Sequence, residues 1–152
     1  MKKYSPRVHI LAEWTSKYID APIKPLYPFG FGLSFTYFVY SNIRVSKDKL
    51  PENDKITVTD DVKNTGNYDG EEVVELYVKD VTASQTRPMK ELKGFKKVFI
   101  KKGETETVSI ELDIKNIGFY TRKFDYIVEK GKFIVMMGTS SDSVLETSIT
   151  VE

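Results

Sequence analysis

The sequence has no cysteine among its 152 residues. Disulfides, thiol nucleophiles and cysteine-ligated zinc are therefore excluded. It has one histidine, His9, so a histidine-rich metal site is excluded and a Ser-His-Asp triad would rest on that side chain alone. Neither sign of charge dominates: 23 Lys and Arg stand against 22 Asp and Glu, a net charge of +1. Nucleic acids and anionic membranes select a basic excess, so neither is expected as a partner. No run approaches the ~20 apolar residues of a membrane-spanning helix, no Asn-x-Ser/Thr acceptor occurs, and no long stretch carries the 3.6-residue period of an amphipathic helix. Met1-Lys2-Lys3 is followed by Tyr4-Ser5-Pro6-Arg7 rather than by an apolar stretch. No secretory leader is read there, and a cytoplasmic location is the expectation.

What is present divides near residue 36. Residues 1–36 hold Pro6, Pro22, Pro25 and Pro28, four of the six prolines, together with His9 and the only tryptophan, Trp14. Proline fixes φ and cannot donate a hydrogen bond, so neither a long helix nor a central strand fits this segment. It is too apolar for a solvated linker. Residues 1–36 therefore read as an extended arm or interdomain segment, and residues 37–152 as one β domain.

In that domain, segments of 7–10 residues alternate apolar and polar between turn signals, the pattern of an antiparallel sandwich. Strands are expected over Tyr37–Val45, Lys55–Lys63, Glu71–Asp80, Leu92–Ile100, Thr105–Leu112, Phe124–Val128, Lys132–Met137 and Leu145–Val151. A short helical turn is expected within Ile114–Tyr120. Phe95-Lys96-Lys97-Val98 disturbs the period of two, which a bulge would explain. Phe133-Ile134-Val135-Met136-Met137 is apolar on both faces and fits a central strand.

Residues able to carry chemistry are sparse. Asp60 and Asp61 are adjacent carboxylates, and strand neighbours point to opposite faces. Alternation from Ile56 and Val58 places Asp60 inward, where an unpaired carboxylate is costly; a bulge or a water-accessible sheet end would accommodate it, and a catalytic acid is the alternative. Asp60→Val is expected to raise the melting temperature. Asp69, Glu71 and Glu72 gather at a turn without the spacing of a calcium loop. Gly30-Phe31-Gly32 lacks the strand, helix and third glycine of a dinucleotide site and reads as a pair of tight turns. No cofactor or metal is expected. Aromatic residues crowd the first quarter of the chain, Trp14, Tyr27, Phe29 and Phe31 among them. They suit docking on a neighbouring domain or stacking on sugar rings. Arg87 and Lys90, flanking Pro88-Met89, read either as a solvated loop or as contacts to another domain.

The stretch Pro25-Leu26-Tyr27-Pro28-Phe29-Gly30-Phe31-Gly32-Leu33-Ser34-Phe35-Thr36 resembles the opening of the C-terminal fibronectin type III-like domain of family 3 glycoside hydrolases, the β-glucosidases, β-xylosidases and their relatives. Val62-Lys63-Asn64-Thr65-Gly66, Asp69–Val78, Arg87–Val98, and the pair Val128–Phe133 and Gly138–Ser141 follow in the order of that family. The resemblance implies an immunoglobulin or fibronectin type III-like fold and a parent enzyme that hydrolyses terminal β-linked glucosyl or xylosyl residues by a retaining, two-carboxylate mechanism. It also implies that both catalytic carboxylates lie in other domains, so no catalytic residue is assigned here. The implied role is an accessory one: bracing the catalytic domains, with Trp14, Tyr27, Phe29, Phe31, Arg87 and Lys90 as candidate contacts. Self-association through the arm is a second consequence of its apolar character. A carbohydrate-binding module using exposed aromatics is the alternative function. The family favours an apolar residue where this sequence has Asp60.

Overall fold

The computed structural model describes residues 25–152, and Trp14 and His9 lie outside them. Eight longer or shorter strands build two facing sheets. β1 (Phe38–Val45), β3 (Lys55–Asn64) and β6 (Thr105–Asp113) form a three-stranded sheet in the order β1-β3-β6. β2 (Lys49–Leu50), β10 (Ser143–Val151), β9 (Gly131–Ser140), β4 (Gly70–Asp80) and β5 (Glu91–Ile100) form a five-stranded sheet in the order β2-β10-β9-β4-β5. Every pairing is antiparallel except β2 with β10, where Leu50 lies beside Val151. A small hairpin, β7 (Phe119–Tyr120) with β8 (Tyr126–Ile127), follows a 3₁₀ turn at Ile114–Ile117.

Period-two alternation explains the core. Ile56, Val58 and Val62 of β3 and Val108, Ile110 and Leu112 of β6 point to one side. They meet Val74, Leu76 and Val78 of β4 and Phe133, Val135 and Met137 of β9. Each fully buried side chain of this size contributes about 1.5–3 kcal/mol of transfer free energy, so these four strands dominate the fold. β9 sits inside the larger sheet, which is why its apolar run has no polar face: outward-pointing Met136 is buried as well.

The bulge in β5 falls elsewhere than the sequence suggests. Glu75 pairs with Phe95 and Leu76 with Gly94, then Tyr77 pairs with Leu92, so Lys93 is the extra residue. Phe95 to Val98 keep strict alternation. The disturbance is one of composition: Phe95 and Phe99 face outward and exposed, while Lys96 takes an inward register position at the sheet edge. A second bulge lies in β1, where the register passes from Ser41–Asp61 to Arg44–Thr59 and Asn42 adopts φ +62°.

Candidate functional site: the arm and the sheet beneath it

The described part of the arm, residues 25–36, is fixed at both ends. Near its start, Phe31 N donates 3.0 Å to Pro28 O, and Gly30 has φ +82°. A positive φ at the third position defines a type II turn and favours glycine. Gly30 is required for a second reason. A Cβ there would stand 2.3 Å from Oε2 of Glu75, which points outward from β4. Ser141, at the tip of the β9–β10 hairpin, donates its N–H to Phe29 O at 2.8 Å, and Lys90 Nζ donates to the Ser141 carbonyl. The arm therefore crosses the outer face of the five-stranded sheet, where Tyr77 and Met136 are buried although neither belongs to the central core.

The far end is anchored by Asn64. Thr36 Oγ1 donates 2.6 Å to Asn64 Oδ1, which also accepts from Gly66 N at 3.1 Å. Asn64 Nδ2 donates to Tyr68 O at 2.8 Å and to Ile100 O at 2.9 Å. One fully buried amide thus uses both donors and two acceptor positions to tie the arm to the β3–β4 turn and the end of β5. The sequence marks Asn64 only as a turn former.

Between these anchors the arm keeps its large side chains in solvent. Tyr27 is 67 %, Phe29 64 % and Phe31 51 % exposed, and Leu33 and Phe35 are 95 % exposed. Val73, Phe95 and Phe99 extend the apolar surface over the outward side of β4 and β5. Tyr27 and Phe31 pack on each other with centroids 5.2 Å apart and planes tilted by 40°. That pair is tilted rather than coplanar, and a flat sugar-stacking row needs coplanar rings.

Several polar groups around the arm pair within the domain. Glu75 Oε2 accepts from the Tyr77 hydroxyl at 2.5 Å. Burial first, then this neighbouring carboxylate, pushes the Tyr77 phenol well above its ordinary range. Across the sandwich the Tyr40 hydroxyl donates 2.7 Å to Glu72 Oε1, and burial and that carboxylate raise Tyr40 likewise. Arg87 is held inside the domain. Its guanidinium reaches Glu91 at 2.7 Å, Asp80 at 3.4 Å and the Ile117 carbonyl at 2.9 Å, and lies 5.0 Å from the centre of the Phe119 ring.

Asp60 and Asp61 are split to opposite faces of β3 and grip the β1 bulge from both. Inside, Asp60 Oδ1 accepts from Ser41 N at 3.1 Å, while its Oδ2 is buried without a partner. Outside, Asp61 accepts from Arg44, Asn42 and Thr107. Burial pushes the Asp60 carboxyl up to about 6, whereas the bonds from Arg44, Thr107 and Asn42 hold Asp61 at about 2. Asp60 is fully buried and out of reach of a substrate, so its place in the strand is that of a bulge anchor. Asp69 accepts from Lys102 N, and Glu71 pairs with Lys97 at 2.5 Å. Among the described residues no three acidic or histidine side chains gather as a metal site.

This architecture is a fibronectin type III-like β sandwich, and a family profile described as "Fibronectin type III-like domain" matches residues 72–141. The chain is 43 % identical over 136 residues to the periplasmic beta-glucosidase of Salmonella typhimurium, covering 90 % of this chain and 18 % of that protein. It is 48 % identical over 138 residues to thermostable beta-glucosidase B of Acetivibrio thermocellus, covering 89 % and 18 %. The structure of a β-glucosidase from Erythrobacter marinus superposes with a TM-score of 0.83 at 38 % identity, over 89 % of this chain and 18 % of that one. A β-glucosidase from Listeria innocua in complex with glucose gives 0.83 at 37 % identity, over 92 % and 19 %. The chain belongs to the fibronectin type III-like domains of family 3 glycoside hydrolases, and it spans under a fifth of the length of these relatives.

Proposed function

We propose that this chain is the non-catalytic brace of a family 3 enzyme that hydrolyses terminal β-linked glucosyl or xylosyl residues. The observation that carries the reading is the arm: it is held through the Phe29 carbonyl and the Thr36 side chain, yet Tyr27, Phe29, Phe31, Leu33 and Phe35 remain in solvent. A preformed strip of this kind has already lost its backbone entropy, so docking costs little beyond side-chain ordering. An apolar patch that is contiguous and rimmed by polar groups marks an interface. Its partner is the remaining four-fifths of such an enzyme, by the lengths of the relatives. Arg87 contributes by holding its loop, and Lys90 by fixing the hairpin tip that grips the arm.

The test is activity on nitrophenyl β-glucoside and β-xyloside, for this chain alone and mixed with Acetivibrio thermocellus beta-glucosidase B shortened by its matching segment. Silence alone with recovery in the mixture is the expected result. Turnover by the isolated chain would overturn the accessory role, and absence of association with the shortened enzyme would overturn the bracing role.

A further inference from the structure

The cleft between the arm and β4 is lined by Gly30, Gly32, Leu33, Val73 and Glu75, and no lysine or arginine lines it. Glu75 is only 7 % exposed. Its Oε2 takes the Tyr77 hydroxyl, while Oε1 has no hydrogen-bond partner among the described residues. Unlike Asp60 Oδ2, Oε1 is not sealed from solvent. The nearest outward carboxylate on the strand, Glu71, is already paired with Lys97. A largely buried carboxylate satisfied by one neutral donor is electrostatically incomplete.

We propose that this cleft is the socket for an arginine side chain supplied by the catalytic portion of the enzyme, an inference that rests on the docking reading above. Gly30 closes on one side of the Glu75 carboxylate with no room for a Cβ, whereas Gly32, which also lines the cleft, has open space where a Cβ would stand, so entry past Gly32 meets no side chain there. Leu33 and Val73 provide apolar walls for the methylene stem, which long cationic side chains bury while presenting the charge beyond. A planar guanidinium meets a carboxylate with strong, directional, charge-assisted bonds and is more weakly hydrated than an ammonium, so it suits a recessed acceptor.

The experiment titrates the isotope-labelled 152-residue chain with N-acetylarginine amide and, separately, with its neutral isostere N-acetylcitrulline amide, following the Gly30 and Gly32 amide resonances. Saturable shifts with the arginine derivative alone are expected, weakened about tenfold in Glu75→Gln, the loss of one charge-assisted pair. Glutamine retains an oxygen for the Tyr77 hydroxyl, and Glu71→Gln is the companion variant, expected to bind as the parent does. Equal shifts with citrulline, no shift at either glycine, or undiminished binding by Glu75→Gln would each overturn the socket. The same variants in the mixing assay separate the two readings. Association unaffected by Glu75→Gln sinks the socket and leaves the brace, whereas arginine binding without association sinks the brace.

Discussion

The Thr36 hydroxyl and the Asn64 side-chain oxygen lie 2.6 Å apart across 28 positions of sequence, and their bond closes the arm onto the sandwich. Asn64→Ala removes the acceptor for Thr36 and Gly66 and the donors for the Tyr68 and Ile100 carbonyls. Burial of unpaired polar groups costs ~1–3 kcal/mol each, so a loss of about 3 kcal/mol or more is expected in urea unfolding. Asn64→Asp keeps the acceptor but sets a carboxylate against two carbonyls, and a comparable loss is expected. Thr36→Val, which removes one donor, is expected to cost about 1 kcal/mol.

Gly66 packs against the same hydroxyl. A Cβ there would stand 2.0 Å from Thr36 Oγ1 and 2.6 Å from the Tyr37 backbone nitrogen. Overpacking of this kind costs ~1–3 kcal/mol. Gly66→Ala is expected to destabilise by that amount, and adding Thr36→Ala to recover only part of it, because the backbone contact persists. A double-mutant cycle of thermal unfolding measures the coupling.

Asp60 makes stability depend on pH in an unusual direction for a carboxylate. Its folded value of about 6 lies above the ordinary 3.8, so the native state holds the proton more tightly than the unfolded chain. Stability therefore falls as pH rises between about 4 and 6, and the cost is complete above that, on the order of 2–3 kcal/mol. Asp61 works in the opposite sense: its stabilisation is present above about pH 4 and is lost as pH falls towards 2. Asp60→Val frees the Ser41 N–H of its acceptor but removes the buried unpartnered oxygen. It is expected to raise the melting temperature at pH 7 and to lose that advantage at pH 4. A drop at pH 7 would show that the bond to Ser41 outweighs the desolvation of the carboxylate.

Arg87 satisfies two carboxylates and a carbonyl at once while lying against Phe119. An ammonium cannot reproduce that fork. Arg87→Lys is expected to cost about 1–3 kcal/mol and to speed amide exchange in residues 81–90 ahead of the core strands.

The exposed arm also predicts the behaviour of the chain in isolation. Self-association in sedimentation is expected to weaken in Phe29→Ser with Phe31→Ser, whose side chains are more than half exposed. A parent chain that sediments as a monomer at every concentration would remove the arm as an association surface.

Much of the sandwich was legible because half-buried strands write their burial into alternate residues. Ile56-x-Val58, Val74-x-Leu76-x-Val78 and Val108-x-Ile110-x-Leu112 each put one face in the core. The same rule identified Asp60 as inward, and its purpose became visible only with the β1 bulge it anchors. Sequence placed the β5 bulge among the lysines, since an edge strand can carry Phe outward and Lys inward without leaving register. The two-residue strands β2 and β7 have no periodicity to detect. Asn64, Glu75 and Ser141 escaped as site residues because their meaning lies in partners brought from other strands. A buried Asn beside a turn signal looks like any other Asn-Thr-Gly. The glycines of the arm were visible as turns, but the reason for Gly30 is a carboxylate from a strand far along the chain.

The clasp of β2 on β10 sets a kinetic limit on the whole domain. Thr150 N bonds to Asp48 O and Glu152 N to Leu50 O, so segments 102 positions apart complete one sheet edge. No local nucleus can form that edge. It must wait until the segments between have collapsed, in a topology already dominated by distant contacts and therefore slow. Until then, the strand that covers β9 has a free margin, and a chain cut shortly before residue 150 would carry that open margin permanently. Trimming a few residues here should thus act less on the core than on the traffic between folding and aggregation.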